Sequence, residues 1–412
     1  YVLDQLKTQN NLVVDVLEDG EESALVYGEL LRSPQLKKNA LLAYIGTGSI
    51  GVAAVEDGAV VRCSSIQLGF LKLGEILRGL EDQTTHFHTV LEEYVETRFR
   101  RLNRLFGRLH MERLLLTGRE LETIAPLCGA ECREGTYILR RDRLDALYNR
   151  VKDLGASALA RELSLPETLA EQLLPMLAIY RKILGLTKAE EIAAPCLDIL
   201  DILAAQLLLP QRKKEFEDVQ QGGALACAKR MAASRHADMA HAERTAAYAV
   251  QLFDKLKKLH GISAKRRTLL ECAALLHEVG EDVNTKNTPQ ATYDLIGQSY
   301  FYGLSEEETA LVAEIAGMGC GDGFTGPRLW NEKQQLLAEK LAAILRLASA
   351  LDESHTGKIR ELKLRLDEKT LVITAQGAQD LLLEKWALEE STPFFEEIFG
   401  IRPVFIGKNR LL

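Results

Sequence analysis

The feature that most constrains the fold is a glycine-containing loop between two apolar runs, Leu41–Ile45 and Gly51–Val55. The second run is followed by Asp57-Gly58 and a further run of small and β-branched residues, which is a strong signal for a β-hairpin. The loop is therefore predicted to join strand to strand. A P-loop or a dinucleotide-binding turn instead leads from a strand into a helix, whose N-terminus receives the phosphate.

Two interpretations of this loop follow from its residues alone. Gly46 and Gly48 let the backbone come close to an anion, and their N–H groups would form a phosphate-binding nest to which Ser49 adds a hydroxyl. Gly46, Thr47, Gly48 and Ser49 are thus the candidate phosphate-binding residues. The alternative is a tight hairpin that uses small residues for steric reasons only, and the local sequence leaves both open.

Composition excludes several classes of function. The chain has 412 residues and a net charge of −8, which argues against non-specific binding to nucleic acid over the whole surface. Its seven cysteines are scattered without metal-ligand spacing, as expected in a reducing cytoplasm. No apolar run approaches the roughly 18 residues that a membrane span requires. The chain begins with Tyr1 rather than Met, and we expect that an N-terminal portion is missing.

The pattern of apolar residues predicts three segments. Residues 1–207 alternate strands and helices, including a strand over Leu12–Leu17 and a helix over Ser23–Leu31. A linker over Pro210–Gly223 leads into an all-helical segment, 208–357. Residues 358–412 show strand alternation, then a helix, and form a small α+β unit.

A second group of chemically active residues lies in the helical segment. His241, the adjacent pair His277-Glu278, and Asp352 are each predicted on a helix. Their order resembles the ligand order of HD phosphohydrolases, in which two His and two acids hold a divalent metal that activates water. Neighbouring residues on a helix point in different directions, so the pair can converge only at a helix end, which Gly280 supplies. The alternative, which we favour from sequence, is an HD-like scaffold that holds no metal.

The two groups together, in this order, resemble the exopolyphosphatase/guanosine pentaphosphate phosphatase (Ppx/GppA) family. The stretches that carry the resemblance are Glu18–Tyr27, Tyr44–Ser49, Ser65–Gly69, His241–Leu256, Cys272–Gly280 and Leu345–Asp352. The resemblance implies the second half of an actin-like (ribonuclease-H-like) module, then an HD-like helical domain and a small C-terminal domain. It also implies a cytoplasmic homodimer that acts on polyphosphate or a guanosine pentaphosphate-type ligand with Mg²⁺, with Glu22 at the position of the family's water-positioning glutamate.

The chain departs from the family at several of these positions. Tyr44 replaces the leading Asp of the loop, Thr47 replaces a Gly, and Ile50-Gly51 replaces a Thr-Glu pair. The family's later Gly-Gly-Thr turn is Gly118-Arg119-Glu120 here. The first actin-like half is absent from these residues.

Two hypotheses of function follow. The first is a family member that binds polyphosphate or a related phosphoanhydride with impaired hydrolysis, because metal-facing carboxylates are replaced. The second is a non-catalytic binding or scaffold protein of the same architecture. Whether the chain is an enzyme therefore stays open at the level of sequence.

Overall fold

A computed structural model of the chain describes residues 2–14, 19–34, 36, 39–46, 48–69, 73–74, 76, 84, 86–109, 111–321, 324, 326, 331–377 and 380–409. It divides into two compact units, Tyr1–Gln220 and Gln221–Leu412. Both combine helices with a sheet, so the prediction of a mixed chain with a large sheet and many helices is confirmed.

The first unit is built on a seven-stranded mixed sheet. Its strands, in chain order, are β1 (Asn39–Ile45), β2 (Ile50–Glu56), β3 (Ala59–Ile66), β4 (Arg113–Thr117), β5 (Cys132–Arg133), β6 (Thr136–Arg140) and β7 (Glu191–Pro195). In space the order is β3-β2-β1-β4-β7-β6-β5. The helices described in this unit are α1 (Val2–Asn10), α2 (Asp19–Leu30), α3 (Phe87–Phe106), α4 (Leu121–Leu127), α5 (Arg141–Val151), α6 (Ala156–Leu163), α7 (Glu167–Leu184) and α8 (Ile199–Leu208). A further helix, α9 (Pro210–Ser234), runs past the unit boundary.

Three central strands of the sheet run in the same direction. The strand β1 pairs in parallel with β4, and β4 pairs in parallel with β7. The flanking strands β2, β3 and β6 pair antiparallel with their neighbours. Parallel strands bring their carboxyl ends to the same edge of a sheet, which is where open α/β sheets bind ligands. The segment after Ile45 and the turn that begins at Gly118 both start from that edge.

The hairpin predicted around the glycine-containing loop is confirmed. Strands β1 and β2 pair from Ile45–Ile50 outward, and β2 and β3 are joined by Asp57-Gly58. Both turn residues have positive φ, +50° and +82°, as a two-residue turn with the right-handed strand twist requires. The helix α3 buries Leu91, Val95, Phe99, Leu102 and Phe106, and its arginines, Arg98, Arg100, Arg101 and Arg104, are exposed.

The second unit contains a helical bundle and a small sheet. Besides the C-terminal part of α9 its helices are α10 (Met239–His260), α11 (Arg267–Leu276), α12 (Thr288–Gly297), α13 (Glu306–Gly319), α14 (Glu332–Ala350) and α15 (Leu382–Phe399), with a short 3₁₀ turn at Ala264–Arg266. Strands β8 (Ile359–Leu366), β9 (Thr370–Gly377) and β10 (Arg402–Asn409) form a three-stranded sheet in the order β10-β9-β8.

Two local predictions from sequence are wrong. The predicted linker over Pro210–Gly223 is part of α9, because its two glycines sit inside a helix where Gly223 lies against the ring of Tyr302. The predicted strand at Leu12–Leu17 is not a strand over residues 12–14, and its remaining residues lie outside the part that the structure describes.

Candidate functional site

The glycine loop, residues 46–49, closes as a tight connection between β1 and β2. The N–H of Gly46 donates to the carbonyl of Ser49 at 2.9 Å, and the carbonyl of Gly48 accepts from the N–H of Gly69 at 2.9 Å. Ser49 is buried and Gly48 is exposed, whereas Thr47 lies outside the described residues. The Gly46 N–H is thus used to close the loop, and Gly48 is the described glycine of the loop that faces solvent.

The carboxylate of Glu22 is engaged by a neighbouring side chain. Glu22 lies in the first turn of α2, and its Oε1 accepts a hydrogen bond of 2.6 Å from the hydroxyl of Tyr44, near the end of β1. Burial first, and then the hydrogen bond and charge of Glu22, raise the pKa of Tyr44 well above its ordinary value. Tyr44 therefore keeps its proton at neutral pH and donates it to Glu22.

Gly51 lies where the packing of α2 on β2 leaves no room for a side chain. A Cβ at this buried position would lie 2.4 Å from the hydroxyl of Tyr27 and 2.8 Å from Oγ of Ser23, both on α2. No real Cβ tolerates contacts this short, so α2 packs on β2 as it does only because residue 51 lacks a side chain. A carboxylate at this position is incompatible with the present packing.

Sequence reasoning missed Glu120 as a functional candidate. A Cβ on Gly118 would lie 3.0 Å from the carbonyl of Ile45, so the turn after β4 lies directly against the end of β1. Burial raises the pKa of Glu120, and its charge contributes to the raised pKa of Tyr44. Its Oε2 is buried and has no hydrogen-bond partner among the described residues. Only the strand order, which brings β1 and β4 together, would have pointed to it.

The second unit brings together His241, His277 and Glu278, which we call the histidine site. His241 is in the first turn of α10, where Asp238 caps the helix by accepting from the N–H groups of Ala240 and His241. The helix α11 ends at Leu276, so His277 and Glu278 lie in the following turn. From this turn both side chains reach His241.

Three donor atoms of the histidine site converge. Nε2 of His241 lies 3.4 Å from Nε2 of His277 and 3.4 Å from Oε1 of Glu278, and Nε2 of His277 lies 3.7 Å from that oxygen. Both rings are almost completely buried, with 0% and 2% of their surface exposed, whereas a fifth of the Glu278 side chain is exposed, 20%. Among the described residues this is the group whose donor atoms are close enough together for one metal ion.

Asp352 lies on the other side of His241, away from Nε2. Its Oδ2 accepts from Nδ1 of His241 at 2.9 Å and from Nε of Arg244 at 2.8 Å, and its Oδ1 accepts from the N–H of Gly357 at 2.8 Å. Burial opposes ionisation of Asp352, but these donors hold its pKa below the usual range. It is an ionised carboxylate with both oxygens occupied.

Sequence reasoning also missed His355. Its ring is stacked on that of His241, with centroids 3.7 Å apart and planes within 3°. Its Nε2 is 3.5 Å from Oε1 of Glu278, and its Nδ1 is 3.5 Å from Oδ2 of Asp238. The backbone of His355 has φ +56° in the turn after α14, and no sequence motif predicts that backbone geometry.

The protonation states of the site follow from burial and neighbours. Burial, with the neighbouring His241 as the next cause, lowers the pKa of His277 to about 3, so this imidazole is neutral at physiological pH. Burial also opposes the charge on His241, but its bond to Asp352 and the charge of Glu278 raise its pKa above the ordinary value. Burial raises the pKa of Glu278, although His241 and His355 oppose that shift.

Most of the second unit matches a family model of known proteins. Residues 225–392 match the family model for the Ppx/GppA phosphatase, domain III. The match covers residues 225–392 and is to one domain of that family, so it is a likeness of this segment to domain III.

Individual relatives are similar over part of their length. The guanosine-5'-triphosphate,3'-diphosphate pyrophosphatase of Aeromonas hydrophila subsp. hydrophila is 32% identical over 143 residues, which cover 33% of this chain and 28% of that protein. The chain thus matches less than a third of the length of this curated relative.

Two solved structures show weaker likeness. The Ppx/GppA family member of Aquifex aeolicus is 15% identical with a TM-score of 0.42, over 51% of this chain and 69% of that one. An exopolyphosphatase from Cytophaga hutchinsonii is 15% identical with a TM-score of 0.42, over 50% of this chain and 69% of that one. At such scores the likeness adds nothing to the family match. Within the described residues, no helix is both long and apolar enough to span a membrane.

Proposed function

We propose that this chain is a phosphatase-like protein that binds a phosphoanhydride, polyphosphate or a guanosine pentaphosphate-type ligand, at the carboxyl edge of β1, and hydrolyses it poorly or not at all. The observation that carries the proposal is the 2.6 Å hydrogen bond from Tyr44 to Oε1 of Glu22. A carboxylate that positions water for attack must accept the O–H of that water. Here one oxygen of that carboxylate, Oε1, already accepts from a phenol that keeps its proton.

The strand order supports the fold on which this proposal depends. Three antiparallel strands followed by two parallel ones, β3-β2-β1-β4-β7, is the arrangement of a ribonuclease-H-like half. The ligand edge of such a sheet carries the glycine loop and the Gly118 turn. Of the loop residues, exposed Gly48 is the one we expect to approach a phosphate oxygen with its backbone.

Tyr44 removes one of the oxygen ligands that the family offers to a magnesium ion at this edge. Mg²⁺ takes carboxylate and other oxygen ligands in octahedral geometry. Tyr44 presents a protonated hydroxyl where the family has an aspartate, and that hydroxyl is bound to Glu22. We therefore derive no catalytic step through Mg²⁺, although the family resemblance implies it.

The test compares binding with turnover. Purified protein is titrated with tripolyphosphate by calorimetry, and phosphate release is measured with the same substrate and Mg²⁺. We expect saturable binding, and turnover far below the roughly 1 s⁻¹ or faster that is typical of working enzymes. Release at a normal rate that is abolished by Glu22→Gln, but unaffected by Glu29→Gln on the same helix, would overturn the proposal of impaired hydrolysis.

The scaffold alternative makes a different prediction. If the edge of β1 has lost ligand binding as well as catalysis, tripolyphosphate and guanosine pentaphosphate will give no binding heat. We also propose that the protein is a homodimer in the cytoplasm. Light scattering on a sizing column measures its oligomeric state directly. A homodimer that binds neither ligand would favour the scaffold function over the first proposal.

A further inference from the structure

We propose that the histidine site binds one zinc ion through Nε2 of His241, Nε2 of His277 and Oε1 of Glu278, with a fourth position open to water or an anionic oxygen. Asp352 and His355 support this site without binding the ion. The inference concerns the second unit and does not depend on phosphate binding in the first.

The first argument is the size of the donor triangle. Zinc in tetrahedral coordination with bonds of about 2.0–2.1 Å has donor atoms about 3.4 Å apart. An octahedral ion with bonds of ~2.1 Å has adjacent donors only about 3.0 Å apart. The observed edges are 3.4, 3.4 and 3.7 Å. They match the tetrahedral edge twice and all exceed the octahedral one.

The second argument is the tautomer of each ring. Nδ1 of His277 lies 2.8 Å from the carbonyl of Ala274, so it must carry the proton and donate it. Nδ1 of His241 likewise donates to the ionised carboxylate of Asp352 at 2.9 Å. In the neutral form of each ring the other nitrogen, Nε2, has a lone pair directed to the centre of the site, and binding of the ion displaces the second proton of His241. The histidine site therefore brings three electron-pair donors together in a buried space, which a cation stabilises.

The third argument assigns the supporting residues. A ligating imidazole that donates its other N–H to a carboxylate is the common arrangement around zinc, and Asp352 holds His241 in this way. Arg244 bonds Oδ2 of Asp352 and also the carbonyl of His355, at 2.9 Å, which fixes both residues.

The stacking of His355 excludes it as a ligand to the same ion. An ion bound to Nε2 of His241 lies in the plane of that ring. The ring of His355 is parallel to it, with centroids 3.7 Å away. A lone pair in the plane of His355 therefore cannot be directed at that ion, and the ring instead covers His241.

The structure offers arrangements that compete with a metal ion. The hydroxyls of Ser349 and Thr245 lie 3.3 Å from Nε2 of His277 and 3.4 Å from Nε2 of His241, close enough to donate to these nitrogens. A proton on Nε2 of His241, shared with Glu278, would satisfy the same three atoms without a metal. These arrangements correspond to the metal-free scaffold favoured by the sequence. Metal binding distinguishes them from a metal site.

The experiment uses the 412-residue chain freed of metal by a chelator. Zn²⁺ is titrated by calorimetry and Co²⁺ by visible absorption, because tetrahedral Co²⁺ lacks a centre of symmetry and absorbs much more strongly than octahedral Co²⁺. We expect one ion per chain, a strong visible band, and no thiolate-to-cobalt charge transfer, since the site contains no sulfur ligand. Absent binding, a weak octahedral band or a sulfur band would each overturn the proposal.

Variants separate ligands from supporting residues. Glu278→Gln and His277→Gln should abolish saturable binding, whereas Asp352→Asn should keep one ion per chain with ~10–100-fold weaker affinity. His355→Ala should also keep the ion. The matched control is His260→Gln, which replaces another buried histidine of the same unit that lies outside the histidine site.

The variants also give outcomes that contradict the ligand assignment. Complete loss of binding in a folded Asp352→Asn or His355→Ala variant would make that residue a ligand. Loss of binding in His260→Gln would show that folding, rather than ligation, controls the measurement. Circular dichroism of each variant establishes which chains are folded, and the wild-type Co²⁺ spectrum tests the geometry without any variant.

Discussion

Tyr44 shows how one residue changes the chemistry of a site while the backbone around it is kept. The family resemblance places an aspartate there, and an aspartate next to Glu22 would repel it or share a cation with it. A tyrosine instead donates a hydrogen bond of 2.6 Å and stabilises the ionised glutamate. The residue is therefore expected to contribute to stability, in contrast to a catalytic residue that is strained or repelled by its neighbours.

Replacement of Tyr44 by Phe tests this contribution. Hydrogen bonds to charged groups are worth up to about 3 kcal/mol, but Glu22 is half-buried, so we expect a loss of about 1–2 kcal/mol in the free energy of unfolding. Urea unfolding measures it. Tyr94→Phe is the control, because the Tyr94 hydroxyl contacts only the exposed Arg98 among its described hydrogen bonds. Equal losses in both variants would contradict the special role of Tyr44.

The environment of His260 predicts how the free energy of unfolding depends on pH. Its Nδ1 accepts from the N–H of Ile262 at 2.8 Å, so its Nε2 carries the proton and donates to the carbonyl of Phe253 at 2.9 Å. Protonation of Nδ1 would break the first bond. Burial, and the nearby charges of Lys340 and Lys257, lower the pKa of His260 from 6.5, although Asp254 opposes them.

The sign of the effect follows from that shift. A group whose pKa is lowered in the folded state binds protons more readily when unfolded, so it reduces stability as the pH falls below its unfolded value. One such group contributes at most ~1.4 kcal/mol per pH unit. We expect unfolding free energies measured from pH 7.5 to 5.5 to fall less steeply for His260→Gln than for the wild type. A variant that is equally steep would show that His260 titrates normally.

The site residues illustrate what a sequence can and cannot predict at this scale. His241, His277 and Glu278 were identified from order and spacing, and the structure brings their donor atoms together. The contacts of Glu120 and His355 depend on strand order and on a left-handed turn, which leave no pattern in the chain. Asp352 was identified, but its position on the Nδ1 side of His241 is a matter of side-chain direction that spacing does not encode.

At the scale of elements, the approach of α2 to β2 depends on a missing side chain. Gly51→Ala would place a Cβ 2.4 Å from the hydroxyl of Tyr27, which is itself buried and cannot move aside freely. Overpacking of this kind costs typically 1–3 kcal/mol, and we expect about that loss in urea unfolding.

A matched control lies in the same hairpin. A Cβ on Gly48 would meet nothing within 4 Å, so Gly48→Ala should leave stability nearly unchanged. The double variant Gly51→Ala with Tyr27→Phe should recover part of the loss, because the nearest clashing atom is gone. A neutral Gly51→Ala would mean that α2 moves away from the sheet at little cost.

Elements were predictable where local signals agree with the final packing. Asp57-Gly58 between β-branched runs predicts the β2–β3 hairpin, which the structure contains. The helix α9 was missed because Gly222 and Gly223 are poor helix formers, and the packing of Gly223 on Tyr302 overrides that preference. The short hairpin of β5 and β6 has a two-residue first strand, too short for any period to show.

At the scale of the whole molecule, the helix α9 contains the boundary between the two units. Its buried residues all lie in its C-terminal half: Gly223, Ala224, Cys227, Ala228 and Ala232. The unit boundary falls just before them, after Gln220, and the family match begins at residue 225. The second unit therefore carries its own part of the helix and its own core.

This division predicts that residues 221–412 fold without the first unit. We expect this fragment to unfold in a single cooperative transition by circular dichroism, because it keeps the half of α9 that covers Tyr302. A shorter fragment, 238–412, should be less stable by about 3 kcal/mol or more, since it exposes the apolar surface that α9 covers. A fragment 221–412 without a cooperative transition would contradict the division. Equal stability of the two fragments would show that the C-terminal half of α9 adds nothing to the second core.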